Sequence, residues 1–341
     1  MKTFVLSSAL VLAFCLSGFN ALKAQSLTWS APQDDTSVEV SGIIGRQAPA
    51  GVVFAPTQRL YMTYTSNNST GDRYSDKYVY FGSQTGGGSI YGPPSYLNPS
   101  GGNAISNTNP GIGVFNNKLY VVMNSIGSSS TGPGYGPTFV SSSDGVNWGT
   151  VTGIPTGVAT DSAAGVASDG TYLYMGFQNT SDHTLVLCRM NSSEVITCNN
   201  FPGTRTMGFN PGMKVFNGAL YIAFQDLSSH NLEYYKSTDQ GQTIGNLITT
   251  AANDQTSTPP SLETHNGYLY MGFRTNDGDH KFLYKYSADG TNWTSGPDPN
   301  YTMGGAPVLV DGTGLLNYSN FLYNLFSQNG SPYYLYSSYG Q

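Results

Sequence analysis

Six copies of one short hairpin run through this chain, and they limit its fold more than any other feature. Each copy has an apolar run, a tight turn and a second apolar run carrying a Leu-Tyr pair. They fall at 49–67, 110–125, 163–179, 214–226 and 263–277, with a degenerate copy at 321–330. The tyrosines of these pairs are Tyr61, Tyr120, Tyr174, Tyr221, Tyr270 and Tyr323, at intervals of 59, 54, 47, 49 and 53 residues. A unit this short cannot bury an apolar face alone, so successive units must pack on one another.

Each unit reads as four strands. In the fourth, "PGMKVFN" is the first strand, Asn217-Gly218 a tight turn and "ALYIAFQ" the second strand. After the loop "DLSSH" come "NLEYYKS", the turn "TDQGQ" and a last strand in "TIGNLITT". Gly, Pro and β-branched residues interrupt every stretch long enough for a helix. The expectation is an all-β, six-bladed β-propeller of four-stranded blades, an arrangement that leaves few exposed edges. A solenoid would need polar caps, whereas the terminal copies are strongly apolar. The last unit ends at "YYLYSSYGQ" without a fourth strand, and "SLTWSAPQ" near the start resembles the fourth strand of unit five. The segment around Trp29 is therefore expected to close the last blade.

Residues 1–25 read as a secretory signal: Lys2, an apolar stretch from Phe4 to Phe19 and a small residue, Ala24, before the cut. Residues 26–341 then form one propeller domain, secreted to an extracellular or periplasmic space. No later segment is apolar for long enough to span a bilayer. Removing the signal leaves 12 basic against 20 acidic residues, a net charge of −8, and there is no basic run. Nucleic acid is therefore excluded as a partner, and a monomer is expected. Only 10% of residues are charged, which leaves a neutral, hydroxyl-rich surface compatible with sugars. Cys188 and Cys198 bracket a turn between two apolar runs and are expected to form a disulfide.

The most specific motif occupies the third-to-fourth strand turns: "SSDGVNW" (142–148), "STDQGQTI" (237–244) and "SADGTNW" (287–293). An Asp carboxylate here can accept turn N–H groups, Gly permits positive φ, and Trp fills the gap between strands. The order Ser-x-Asp-x-Gly resembles the Asp box of the sialidase-like propellers. Asp144, Trp148, Asp239, Gly241, Asp289 and Trp293 are read as structural members of these turns, not as catalytic groups.

The residue after the second strand of each unit should ring one mouth of the propeller: Thr65, Asn124, Gln178, Gln225, Arg274 and Ser327. The inter-unit connections add Arg46, Asp161 and Arg205. Arg46, Asp161, Gln178, Arg205, Gln225 and Arg274 form the candidate ligand-binding set, suited to a polyhydroxylated or anionic ligand. The resemblance implies three arginines that bind a substrate carboxylate; Arg46, Arg205 and Arg274 are the matching candidates. "GRQAP" around Arg46, however, has an extra residue before Pro49 and lacks the family's aromatic. It also implies a tyrosine nucleophile paired with a glutamate, and an aspartate acid/base. Tyr301, Glu194 and either Asp72 or Asp76 are the candidates, although Glu194 falls near a turn on the opposite face. Glu263 lies at the same place in unit five as Lys214 in unit four, which implies an ion pair between units.

"NDGDH" (276–280) offers Asp277 and Asp279 but too few oxygen ligands for calcium. His183, His230, His265 and His280 have no zinc spacing, so no metal or cofactor is expected. The triplets at Asn68, Asn179 and Asn191 are incidental to the composition. The favoured function is non-catalytic glycan binding on the loop face, with exposed tyrosines stacking on sugar rings. The alternatives are an exo-acting glycoside hydrolase of sialidase type and a protein-binding scaffold.

Overall fold

A computed structural model of the chain describes residues 27–29, 33–34, 50–66, 75–81, 95–97, 110–125, 136–160, 164–250, 254–277, 279, 281–299, 313–318, 321–328 and 331–339. These residues form antiparallel sheets, one per sequence repeat. The first contains Ala50–Phe54, Arg59–Ser66, Ser75–Phe81 and Ser95–Tyr96, and the second Gly111–Phe115, Lys118–Ser125, Gly136–Ser142 and Thr152–Gly153. The third contains Gly165–Ser168, Leu173–Gln178, Leu185–Met190 and Ile196–Asn200. The fourth contains Gly212–Phe216, Ala219–Gln225, Leu232–Ser237 and Ile248–Thr249, the last far shorter than the "TIGNLITT" run. The fifth contains Ser261–His265, Tyr268–Arg274, Phe282–Ser287 and Thr294–Ser295. The sixth joins Gly314–Tyr318, Phe321–Gln328 and Ser331–Tyr339. Thr28 and Trp29 pair with Tyr339 and Ser338 on that last strand, and Gln33 and Asp34 with Leu335 and Tyr334.

The hairpin turns explain the repeat. Asn217 and Gly218 take φ of 48° and 74°, and Asn266 and Gly267 46° and 79°. Two successive positive φ values match the twist of the flanking strands, which is why Asn-Gly recurs there. Beyond each turn the Leu-Tyr pair enters the core.

The core consists of layers between neighbouring sheets. Phe54, Tyr61, Leu119, Val121 and Trp148 pack between the first and second sheets, and Phe115, Tyr120, Leu173, Phe177 and Cys188 between the second and third. Tyr174, Leu187, Met213 and Ile222 fill the next seam, and Tyr221, Tyr234, Leu269 and Met271 the one after it. Leu27 joins Tyr270, Phe282, Leu315 and Leu322 between the fifth and sixth.

The first strands of successive sheets touch one another, and that of the sixth touches that of the first. Together they line a central cavity of about 470 Å³. Glycine sets how closely they approach. A Cβ at Gly111 would overlap the carbonyl oxygen of Ala164, one at Gly165 that of Pro211, and one at Gly212 that of Pro260.

The three Ser-x-Asp turns share one hydrogen-bond pattern. Ser142 Oγ donates to Asp144 Oδ1 (3.0 Å) and accepts from Gly145 N (2.8 Å), and Asp144 Oδ1 accepts from Val146 N and Asn147 N. Ser287, Asp289, Gly290, Thr291 and Asn292 repeat it. In the longer copy the extra residue, Gln240, is in the left-handed region, and Gln242 N and Thr243 N reach Asp239 Oδ1. Trp148 is buried, and Trp293 Nε1 donates to the Tyr234 hydroxyl (3.1 Å).

Cys188 and Cys198 lie directly opposite each other on the third and fourth strands of the third sheet and are disulfide-bonded. Among the described residues no helix is long and apolar enough to cross a membrane.

Candidate functional site

The loops after the second strands and the connections between sheets meet at one end of the sheets. Side chains bridge them in a repeated way. Asn124 Nδ2 donates to the carbonyl of Thr160 (2.8 Å), Gln178 Nε2 to that of Met207 and Gln225 Nε2 to that of Thr256. Each accepting residue lies in the connection leading to the next sheet and forms a β-bridge with that sheet: Thr160 with Asn179, Met207 with Asp226, Thr256 with Thr275. The amide at the end of one sheet thus fastens the entry of the next.

This geometry changes the reading of two candidates. Gln178 and Gln225 are buried, and their amide nitrogens are already engaged by the main chain. They act first as latches. Arg274 occupies the matching position in the fifth sheet and is also buried. Arg46, Asp161, Asp72 and Tyr301 lie outside the described residues, as does His280. Asp76 pairs with Thr65 between the second and third strands of the first sheet.

Arg205 is the centre of a charge cluster. It precedes the fourth sheet, and its Nε is 3.2 Å from Glu233 Oε2 and 3.6 Å from Asp226 Oδ2. The guanidinium is 45% exposed, whereas both carboxylates are 1% exposed. The Glu233 hydrogen bond and charge, followed by Asp226, hold Arg205 more firmly cationic than usual. Burial pushes the Asp226 carboxyl up, but hydrogen bonds from Ser229 and Ser228 and the charge of Arg205 outweigh it, leaving it below the ordinary range. The Tyr235 hydroxyl accepts from Arg205 N (2.9 Å).

One sheet further on, the same place holds the opposite polarity. Asp254, two residues before Thr256 as Arg205 is before Met207, pairs with buried Lys285 (2.8 Å). Lys285 Nζ also donates to Ser295 Oγ, and Thr250 Oγ1 to Asp254 Oδ2. Lys214 and Glu263 pair across the inner strands of the fourth and fifth sheets, the contact expected from their matching positions.

A Tyr–Glu contact is present, but at the other end of the sheets. Tyr120 Oη donates to Glu194 Oε1 (3.0 Å), and Lys118 Nζ lies 2.8 Å from the same oxygen. Burial, then the Glu194 hydrogen bond and charge, push the Tyr120 phenol well above its ordinary range. That suits a proton-bearing lock and opposes a nucleophile. Asp277 accepts from Thr275 Oγ1 (2.6 Å) and Asp279 pairs with Lys281 (3.3 Å), so both carboxylates have protein partners.

For the tyrosines whose side chains are described, the expectation of exposure is corrected, and the side chains of the others lie outside those described. Tyr61, Tyr120, Tyr174, Tyr221, Tyr234, Tyr270 and Tyr284 are fully buried between sheets, and no tyrosine with a described side chain is exposed. Their rings fill the seams that the repeat creates.

No protein-family model matches the chain, and no curated protein sequence matches it. Solved structures do. The phage phi92 endosialidase aligns with a TM-score of 0.59 at 12% identity, over 92% of this chain and 69% of that one. The Trypanosoma rangeli sialidase, in complex with 2,3-difluorosialic acid, aligns with a TM-score of 0.55 at 14% identity, over 92% of this chain and 57% of that one. At such identities the likeness establishes the fold: a sialidase-like, all-β propeller.

Proposed function

We propose that the protein is a secreted propeller of six blades, with residues 26–341 as one domain and the N-terminal strand completing the last blade. Its function in this proposal is to bind glycans on the loop face without hydrolysing them. The pairing of Thr28 and Trp29 with the last strand and the contacts among all six inner strands support the closure. Export is supported by the disulfide, which suits an oxidising compartment.

One observation carries the choice of ligand: Arg205 is already held by Glu233 and Asp226. A guanidinium shared by two buried carboxylates has little net charge to offer an acidic sugar, but its exposed N–H groups can still meet hydroxyls. A neutral glycan fits better than a sialic acid. The latched Gln178 and Gln225 support a rigid face rather than direct contacts, and a rigid face lowers the ordering cost of binding.

The second reading, an exo-acting glycoside hydrolase of sialidase type, draws support from the fold. Both aligned proteins are sialidases by name, and Arg205 and Arg274 come from adjacent repeats. A scaffold binding another protein is the third.

The deciding experiment applies the purified mature chain to an array of neutral and sialylated oligosaccharides and, in parallel, to a fluorogenic aryl sialoside. Retention on neutral glycans without turnover is the expected result. Turnover would establish the hydrolase and overturn the proposal, and silence in both assays from a folded sample would leave the scaffold.

A further inference from the structure

Two loops on this face, at the same place in consecutive repeats, share one construction. They read Gln-Asn-Thr-Ser-Asp-His (178–183) and Gln-Asp-Leu-Ser-Ser-His (225–230). In both, the histidine is in the left-handed region, with φ of 59° at His183 and 60° at His230. Nδ1 of each ring lies beside the glutamine five residues earlier: 3.0 Å from Gln178 Nε2 and 3.1 Å from Gln225 Nε2. The main chain ties the loops down as well, since Met207 N donates to His183 O (2.8 Å) and Thr256 N to His230 O (2.9 Å).

The hydrogen bonds fix where the ring protons sit. The carbonyls of Met207 and Thr256 can only accept, so each glutamine must turn its NH₂ toward them. An amide nitrogen has no lone pair to offer, so its second hydrogen goes to the imidazole Nδ1. That nitrogen must therefore be the unprotonated acceptor, and the single proton of the neutral ring is on Nε2. His230 is exposed and His183 partly so.

We infer that His183 and His230 are held as fixed Nε2–H donors and form the polar contacts of a glycan site running across the loops of the third and fourth sheets. This rests on the glycan-binding function proposed above. The donors are repeated, belong to adjacent sheets, and keep their rings oriented before any ligand arrives. They suit hydroxyl or ring oxygens, which accept. A transition metal is disfavoured, because a metal on Nε2 moves the proton to Nδ1, where it would face the glutamine NH₂. The neighbouring carboxylates are already engaged: Asp182 accepts from Thr184 N and Oγ1, and Asp226 from Ser228 and Ser229. That leaves the imidazoles, beside the exposed N–H groups of Arg205, as donors of this face.

Two measurements on the intact mature chain test the inference. In ¹⁵N-edited spectra of the histidine rings at neutral pH, both His183 and His230 are expected as the Nε2–H tautomer. An Nδ1–H tautomer at either would overturn the proposal. Affinity is then compared for His183→Asn and His230→Asn, because Asn tolerates the left-handed backbone and keeps the loops folded. Each variant is expected to bind the array's best neutral oligosaccharide at least tenfold more weakly, with an unchanged Tm. Unchanged affinity would overturn the histidine site and leave the glycan-binding function standing. Failure of the parent protein to bind any glycan would overturn both.

Discussion

The hydroxyl of Tyr221 donates to the main-chain carbonyl of Asp289, 3.2 Å away and 68 residues along the chain, across the seam between the fourth and fifth sheets. The repeated Leu-Tyr pair and the repeated Ser-x-Asp turn are thus two halves of one lock. Tyr61 makes the same contact with Asp144 (3.4 Å). Gly290 has φ of 73°, and a Cβ there would also overlap the Tyr221 hydroxyl. Gly290→Ala is therefore expected to cost about 2–4 kcal/mol, from the strained backbone and the overlap together. Tyr221→Phe removes only the hydrogen bond and should cost about 1 kcal/mol. Urea midpoints of the two variants check the order; a smaller effect for the glycine substitution would refute the lock.

Asn324 is completely buried between the fifth and sixth sheets, and among the described residues neither of its side-chain polar atoms has a hydrogen-bond partner. The matching positions of other repeats hold Met62, Val121, Met175, Ile222 and Met271. Asn324→Leu keeps the branched shape and removes two unsatisfied groups, so it should stabilise the protein by about 1–2 kcal/mol. A rise in Tm is the expected outcome, and a fall would mean that the amide has a partner in solution.

The cluster around Arg205 is expected to be structural as well as exposed. Replacing Arg205 with Met leaves Glu233 and Asp226 buried without their cation, at a cost of about 1–3 kcal/mol once the solvent exposure of the guanidinium is counted. Equilibrium unfolding at neutral pH measures this, and a change below 1 kcal/mol would show that the carboxylates are satisfied without it.

The Cys188–Cys198 bond closes a loop with a sequence separation of 10. Chain entropy alone gives about 3 kcal/mol for a loop of that size. The double variant Cys188→Ala/Cys198→Ala should remain folded with a lower Tm, and a Tm equal to that of the oxidised parent would contradict the estimate.

Acid should weaken the turns in a defined window. The Thr243 hydroxyl, then Thr243 N, with smaller help from Ser237 and Gln242, hold the Asp239 carboxyl down from 3.8 to about 2. A carboxyl lowered by folding contributes stability that is complete above the unfolded value and lost as pH falls through the folded one. Asp144 and Asp289 are lowered chiefly by the N–H groups of Asn147 and Asn292. Stability should thus decline between about pH 4 and pH 2. Asp239→Asn should be weaker than the parent at neutral pH, and the gap should narrow across that window. A gap independent of pH would exclude the carboxylate as its cause.

The strands and hairpins were legible because they depend on local chemistry. Asn217-Gly218 and Asn266-Gly267 announce their turns, and the apolar run after each announces a buried strand. The Lys214–Glu263 pair was legible because a repeat places equivalent residues side by side. The latches were not: Gln178 and Gln225 bond to main-chain carbonyls, which carry no side-chain signature. Composition likewise shows how many tyrosines there are but not that the seven fully buried ones fill the seams between sheets. The histidine loops did leave a trace, a glutamine and a histidine five residues apart, twice, at an interval of 47 residues. Aligning the loops rather than the strands would have found it.

Thr63 reaches the carbonyl of Pro110, Asn124 that of Thr160, Gln178 that of Met207 and Gln225 that of Thr256. At the opposite end Tyr61 and Tyr221 reach the carbonyls of Asp144 and Asp289, and Tyr120 the carboxylate of Glu194. In this set every side chain points to the following repeat, so these contacts give the four sheets that supply them a donor flank and a receiver flank. A fragment lacking one or more repeats keeps an unmatched flank of each kind, and two such fragments are complementary head to tail. Contacts of that type grow into open chains unless the rotation closes them. In the intact chain the first strand of the sixth sheet already contacts that of the first, which places those two flanks together.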